Sequence, residues 1–326
     1  MPEFSSDQLD DSAPKKGHYS IGFYNLENLF DTVDDPRTLD DDFTEFSEKK
    51  WNEKRFRKKV RKLAQVISSI GYEDIQHPPV LLGVAEVENS NVLDALLENK
   101  FLRKKDYDYV HFDSPDERGI DTALLYRKEY FSVINKEAHT VYLIGDRGER
   151  DYTRDVLHVE GELEGQTLHI LVNHWPSRRK GTDETAHKRI TAAKKNLEIM
   201  ESIFTKDPTA KVVVMGDFND DPTSESVRKI VSPRMYNPME LLLTNSKGTL
   251  NHRDNWHLFD QIIISHNFLQ RHDNTFRFEE AKIFDPESIR EYKGKYKGMP
   301  YRTYVGKKHL GGFSDHFPVY AIFSIH

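Results

Sequence analysis

Cysteine is absent from this chain of 326 residues. Its absence excludes disulfides, a thiolate nucleophile and cysteine-held zinc. It also leaves the compartment unread: a reducing cytoplasm and an oxidising exported setting, reached with a signal that this sequence does not show, both accept such a chain. No run of about 20 apolar residues occurs, so no membrane-spanning helix is expected; a soluble monomer is. Positive charge is not in excess: 47 Lys and Arg stand against 54 Asp and Glu, a formal net charge of −7. No global basic footprint marks a nucleic-acid binder, and an anionic substrate would have to be held by local cations or by metal. Glycine-rich phosphate loops and a Gly-x-Ser-x-Gly elbow are missing. So is any repeat of 20–50 residues, which removes solenoids and propellers.

What is present is a set of apolar strands that end in polar clusters. The clearest is KVVVMGDFNDD, Lys211–Asp221. Val212 to Met215 read as a buried strand, and Gly216 lets the backbone approach a neighbour closely. Asp217, Asn219, Asp220 and Asp221 follow at once, and such a sequence taken alone is as compatible with a polar turn as with a site. The same design recurs. YSIGFY, in the strand His18–Tyr24, runs into Asn25 and Glu27; Pro79–Val84 runs into Glu86; the strand Gln166–Val172 leads to Asn173 and His174. LFDQIIIS, Leu258–Ser265, carries Asp260, and Asp315 and His316 precede a last strand, Phe317–Ile325.

Between these lie two amphipathic helices, Trp51–Ile70 and His187–Phe204, a short one over Asn91–Asn99, and strands over Tyr107–Phe112, Thr122–Tyr126 and Asp155–Glu162. Gly165 marks a tight turn between Asp155–Glu162 and Gln166–Val172. The basic side of the first helix, Lys54, Arg55, Arg57, Lys58, Lys59, Arg61 and Lys62, reads as a solvated face. Residues 31–48 hold eight acidic side chains and read as a solvated loop. Residues 1–17 are expected to be a disordered lead-in and 18–326 a single domain. Strands joined by hairpin-length links with interspersed helices indicate a mixed, largely antiparallel α/β arrangement.

If the strand ends share one sheet edge, Glu27, Glu86, Asp217, Asp260 and Asp315 crowd together. Carboxylates at such density do not all ionise without a counter-charge. Oxygen-rich sites suit Mg²⁺ or Mn²⁺, and imidazoles beside them suit a phosphate. Metal, phosphate and a water-activating carboxylate together describe phosphoester hydrolysis.

Taken in order, Asn-x-Glu, GVAEVEN, Asn-His, GDFN, FDQI and SDH resemble the endonuclease/exonuclease/phosphatase superfamily over roughly residues 18–325. That group includes DNase I, abasic-site endonucleases, sphingomyelinases and inositol polyphosphate 5-phosphatases. YNLENLFD, RGIDTALLYR and NHWPSR are most similar to uncharacterised bacterial members. The resemblance implies a four-layer α/β sandwich, with two mixed, mostly antiparallel sheets packed face to face and helices outside. It implies a Mg²⁺- or Mn²⁺-dependent phosphodiesterase or phosphatase. Glu86 is then the principal metal ligand, with Glu27 and Asp315 near the ion. Asp217 is the base, positioned by Asn219. His316, paired with Asp260, and His174 face the phosphate, and Asn25 steadies the metal ligands. Arg178 and Arg118 are candidate substrate-binding neighbours on local grounds, as is Asp121. The chain departs from the family pattern twice: Ala85 stands where Gln usually precedes the metal Glu, and Glu27 stands where several members have Asp.

A nuclease is the slightly favoured reading, because the Lys- and Tyr-rich stretch 291–308 could stack bases and meet phosphates. A phospholipid or inositol phosphate phosphoesterase is the alternative. A catalytically inactive binding module on the same fold is the alternative of another class. Retention of the carboxylates and of His316 weighs against it.

Overall fold

Twelve strands build two six-stranded sheets in the computed structural model, which describes residues 15–325 apart from Asp146, Lys180 and Ser232. The expected lead-in falls mostly outside these residues; within it, Lys15 donates its N–H to the Ile75 carbonyl at 3.1 Å. The strands are β1 (His18–Leu29), β2 (Leu81–Val87), β3 (Tyr107–His111), β4 (Asp121–Arg127), β5 (Phe131–His139), β6 (Val156–Leu163), β7 (Gln166–His174), β8 (Lys211–Asp217), β9 (Met235–Tyr236), β10 (Asp260–Ser265), β11 (Arg277–Ile283) and β12 (Val319–Ser324). Sheet 1 runs β11-β12-β1-β2-β4-β3, and sheet 2 runs β9-β10-β8-β7-β6-β5.

Each sheet has one parallel pair, β1 with β2 and β7 with β8, and every other pairing within it is antiparallel. Two parallel strands end at the same edge of a sheet, and an antiparallel neighbour begins there. This is why residues far apart in sequence arrive together: Asp217 pairs in register with His174 on one side and with Asp260 on the other.

The inner faces of the sheets meet closely. A Cβ built on Gly83 of β2 would lie 2.7 Å from Met215 Sδ of β8 and 3.1 Å from side-chain carbons of Phe23 and Val172, so any larger residue there would force the core side chains to shift. Gly216 is equally constrained, because a Cβ there would meet the Asn173 carbonyl oxygen at 2.3 Å. Apolar residues of β1, β2, β4, β7, β8 and β10 fill the inter-sheet core, and each large side chain fully buried there contributes on the order of 1.5–3 kcal/mol.

Helices cover the outer faces. Helix α1 (Glu53–Ile67) is capped by Asn52, whose side chain accepts from Arg55 N–H and satisfies one orphan donor of the first turn. Together with α2 (Ser90–Leu97) it lies against sheet 1. Helix α3 (Ala186–Lys206) packs Ala193, Met200 and Ile203 onto Leu171, Val212 and Val214 of sheet 2. Among the described residues no helix is long and apolar enough to cross a membrane.

Two local expectations are corrected, and two strands are added. The α1 basic face is not wholly solvated, since Lys59 is 2% exposed. The 31–48 loop is not merely surface. Its Phe43 stacks on Phe30 at 4.3 Å between ring centroids, Asp40 is buried, and the loop walls a cleft of about 960 Å³. Strands β5 and β11, which the sequence pattern does not announce, extend sheets 2 and 1 at their edges. Both carry mostly polar, partly exposed side chains, so the apolar alternation that marks a strand is weak in them.

Candidate active site

The site lies where the two sheets present their polar strand ends. Asp217 is at its centre and is buried. Its Oδ1 accepts the Asn219 N–H at 2.9 Å and its Oδ2 accepts Asn25 Nδ2 at 3.0 Å. Asn25 therefore reaches across from sheet 1 to fix a carboxylate of sheet 2, and its own Oδ1 accepts the Glu27 N–H at 2.9 Å. Asn219 holds Asp217 through its backbone; its side-chain amide donates instead to the Trp175 carbonyl. Burial pushes the Asp217 carboxyl up to about 7, aided by Asp260 and opposed by His316.

His316 Nδ1 lies 2.7 Å from Asp260 Oδ2, and its Nε2 lies 3.9 Å from Asp217 Oδ2. Burial works against its charge, but Asp260, Asp217 and Asp315 outweigh it and hold the imidazolium well above the usual histidine range. His174 Nε2 is 3.7 Å from Asp217 Oδ2 and 3.8 Å from Glu86 Oε1. Here burial dominates, and Arg154, Arg118 and His316 add to it, so this ring is held neutral. The expectation of two phosphate-facing histidines is thus refined: one is a cation and the other is not.

Glu86 sits at a bulge in the β2–β4 pairing with φ of 63°, and its Oε2 accepts the Asn28 N–H at 2.8 Å. Glu27 and Asn28, at φ of 50° and 54°, lie at a second irregularity, in the β1–β2 pairing. Left-handed backbone at non-glycine residues costs energy and gathers at functional sites, and bulges re-aim side chains beside them. The Glu27 carboxylate turns toward the 303–304 backbone. It accepts from the N–H groups of Thr303 at 2.6 Å and Tyr304 at 3.2 Å, and it lies 3.7 Å from Lys59 Nζ. Burial raises Glu27 to about 7 and lowers Lys59, while each opposes the other's shift by attraction.

Arg118 donates to Asn28 Oδ1 at 2.5 Å, beside Glu86. Arg178 is committed to protein partners: Nε donates to the Asn219 carbonyl at 2.7 Å and Nη2 to Asp220 Oδ1 at 2.6 Å. It braces the Asp217 loop from behind. Asp121 is not at this centre; it accepts from Ser114 N–H and contacts His111 at 3.1 Å. Two residues escaped the sequence reading. Lys59 looked like one of many helix lysines. Arg154, buried, donates to the His174 and Trp175 carbonyls and to Asp116, and no local motif marks it.

The donor set suits a hard divalent cation. Among the described residues Asp260 Oδ1 is buried without a hydrogen-bond partner; Asp217, Asp260 and His316 offer atoms within 4.8 Å of one another, and Glu86 Oε1 and Asp315 Oδ1 lie 3.8 and 3.9 Å from the Nε2 atoms of His174 and His316, so carboxylates outnumber the single imidazolium at this centre. Carboxylate oxygens prevail over nitrogen, as Mg²⁺ and Mn²⁺ prefer.

Two face-to-face mixed sheets with helices outside and this carboxylate–histidine centre at one end define a DNase I-like fold. Residues 20–324 match the model of the Endonuclease/Exonuclease/phosphatase family, and the chain belongs to that family. No curated protein sequence matches it. Among solved structures it is similar to a mannosyl-6-phosphatase of Bacteroides thetaiotaomicron VPI-5482, at 18% identity and a TM-score of 0.59, over 94% of this chain and 100% of that one. It is similar to truncated TDP2 of Caenorhabditis elegans, at 16% identity and a TM-score of 0.58, over 94% and 97%. It is also similar to D. rerio TDP2 complexed with single strand DNA product, at 16% identity and a TM-score of 0.56, over 94% and 99%. At these identities the likeness is one of fold.

Proposed function

We propose that the protein is a divalent-metal-dependent phosphoesterase, using Mg²⁺ or Mn²⁺, and that its substrate is a nucleic-acid phosphodiester. The observation that carries the catalytic reading is the double clamp on Asp217 by Asn25 and Asn219, with an imidazolium on one side of it. A general base must be ionised to take a proton from water; burial raises this carboxyl to about 7, and a cation held beside it would favour the anion.

In this reading Asp217 removes a proton from a water whose oxygen bonds to phosphorus, while the bond to the leaving oxygen breaks. His316, charged and oriented by Asp260, donates a hydrogen bond to the phosphoryl oxygens as negative charge grows there. His174, neutral, supplies a further donor and leaves the total charge unchanged. Glu86 and Asp315 are the carboxylates that would hold the cation, with Glu27 neighbouring them but tied to Lys59 and the 303–304 backbone. When bound, the cation offsets the carboxylates and polarises the phosphoryl oxygen. Arg118 lies where it can meet a substrate phosphate, and Arg178 positions the Asp217 loop.

The nucleic-acid part rests on residues 291–308. Glu27 anchors this segment at the site through Thr303 and Tyr304. It exposes Tyr292 and Tyr296, with Lys293 and Lys295 over their rings at 5.1 and 5.9 Å. Exposed aromatics interleaved with lysines are the elements of a single-strand platform. A binding module without chemistry would not need a clamped base.

A panel with purified protein decides the matter: single-stranded oligonucleotide, plasmid, abasic duplex, sphingomyelin, inositol phosphates and a sugar phosphate. Cleavage of nucleic-acid diesters is expected, abolished by EDTA and restored by Mg²⁺ or Mn²⁺. Activity confined to lipid or to small monoesters would overturn the substrate assignment. Undiminished turnover in EDTA would overturn the metal.

A further inference from the structure

A second cluster of metal-ligating side chains lies away from this centre. Glu137 and His139 are two apart on β5 and so point to one face. Glu137 pairs in register with His158 of β6, which places His158 on that same face. His169 of β7 stands next to His158, with its Nδ1 3.1 Å from His158 Nε2. The rings form a row: His139 and His158 centroids are 5.7 Å apart and tilted by 29°, and His158 and His169 are 5.4 Å apart and tilted by 35°. This face is the outer one, shared with Leu171 and flanked by α3. His174 is three residues further along β7 and, by the alternation of the strand, points the other way.

We propose that Glu137, His139 and His158 form a second metal site, for a first-row transition ion of the zinc type, with His169 holding the His158 ring. Two observations carry this. Ligand atoms of the three residues all lie within 4.8 Å of one another, and the His139 Nε2 to Glu137 Oε2 distance is 3.5 Å. Nitrogens and oxygens about 2.0–2.2 Å from one tetrahedral ion are themselves roughly 3.3 Å apart, so a small rotamer adjustment closes the set. The His139 Nε2 atom is also shielded from solvent with no hydrogen-bond partner among the described residues, which is costly unless something else meets it.

Donor chemistry separates this cluster from the first. Two imidazoles and one carboxylate match zinc sites, which leave a fourth position for water. Mg²⁺ favours oxygen ligands and would not compete well here. The charges nearest the row are Glu137 itself, Glu160, Asp207 and the α3 lysines Lys195 and Lys206. The ion would bridge β5, an edge strand with largely exposed side chains, to β6.

The test is a titration of the full chain with Zn²⁺ and with Co²⁺ in excess Mg²⁺. Wild type is expected to show the intense visible absorption of tetrahedral Co²⁺ and a Zn²⁺-dependent rise in Tm. His139→Gln and Glu137→Gln, both at partly exposed positions, should keep the metal-free Tm and weaken Zn²⁺ uptake by about tenfold or more. Asp217→Asn should leave the Co²⁺ signal unchanged. A Co²⁺ spectrum and Zn²⁺ uptake identical in wild type and in both cluster variants would overturn the proposal, as would no uptake at micromolar metal.

Discussion

His174 and His316 stand on either side of Asp217, 3.7 and 3.9 Å from the same Oδ2, yet they differ in charge. The difference comes from what each ring meets on its far side. His316 Nδ1 meets a wholly buried carboxylate, Asp260, at 2.7 Å. His174 Nδ1 has no hydrogen-bond partner among the described residues, and burial, with the charges of Arg154 and Arg118, lowers its pKa. Residue type and distance to the shared carboxylate are thus nearly equal, and the outer neighbour decides. A cation faces the base from the sheet 1 side and a neutral donor from the sheet 2 side, so the centre is electrically lopsided.

The most severe way to disturb this comparison is to remove the shared carboxylate. Asp217→Asn is close to isosteric, and it should lower kcat by about 10²–10⁴ while leaving circular dichroism unchanged. Near-native kcat would show that proton removal occurs elsewhere. Next come the two corners themselves. His316→Ala should cost about 3–4 kcal/mol of transition-state stabilisation. Asp260→Ala should cost nearly as much, and the double variant little more, because the two act as one unit. His174→Gln keeps a donor and removes no charge, so a loss of only about tenfold is expected, near the worth of one hydrogen bond. Equal losses at the two histidines in steady-state kinetics would erase the contrast.

The smallest effect is on stability. Asp217 and Glu27 are raised to about 7, and Glu88, buried among Asp31, Asp40 and Asp35, to about 8. An acid whose folded pKa exceeds its unfolded value binds more protons folded, so its contribution is lost as pH rises through the folded value. The raised His316 acts in the same sense, and the lowered His174 in the opposite sense below its ordinary value. Chelated protein should therefore lose stability from about pH 4, where the unfolded carboxyls ionise, up to about pH 8, where the folded ones have done so. Added Mg²⁺ should raise Tm more at pH 8 than at pH 5, by a few degrees in scanning calorimetry. A Mg²⁺ effect independent of pH would mean that the raised carboxyls are not what the cation relieves.

Much of this arrangement was legible in the residue order. Buried runs such as Val212–Met215 mark strands whatever their neighbours, and the family resemblance joined their polar ends into one site. The hairpin at Glu164-Gly165, with φ of 50° and 74°, is written in its turn residues. Other features depend on tertiary context. Lys59 lies among lysines that do face water, and only the position of Glu27 makes it a buried partner. The left-handed backbone at Glu27 and Glu86 lies at irregularities of strand pairing and leaves no local composition signal. Arg154 works through three acceptors that gather only in the fold. Arg178 sits beside its expected site but points into the protein, since Asp220 captures its guanidinium.

Strand β1 lies between β2 and β12 and pairs His18 with Ser324 at one end and Phe23 with Val319 toward the other. The earliest described strand thus waits for the latest one. During synthesis, β1 and β2 can emerge and meet long before β12 exists, but sheet 1 keeps an open edge beside β1 until the final strand leaves the ribosome. Asp315 and His316 arrive with that strand. Contacts of such long sequence separation form slowly, so the pairing of β1 with β12, which brings the segment carrying Asp315 and His316 to the site, is expected to be a late step of folding.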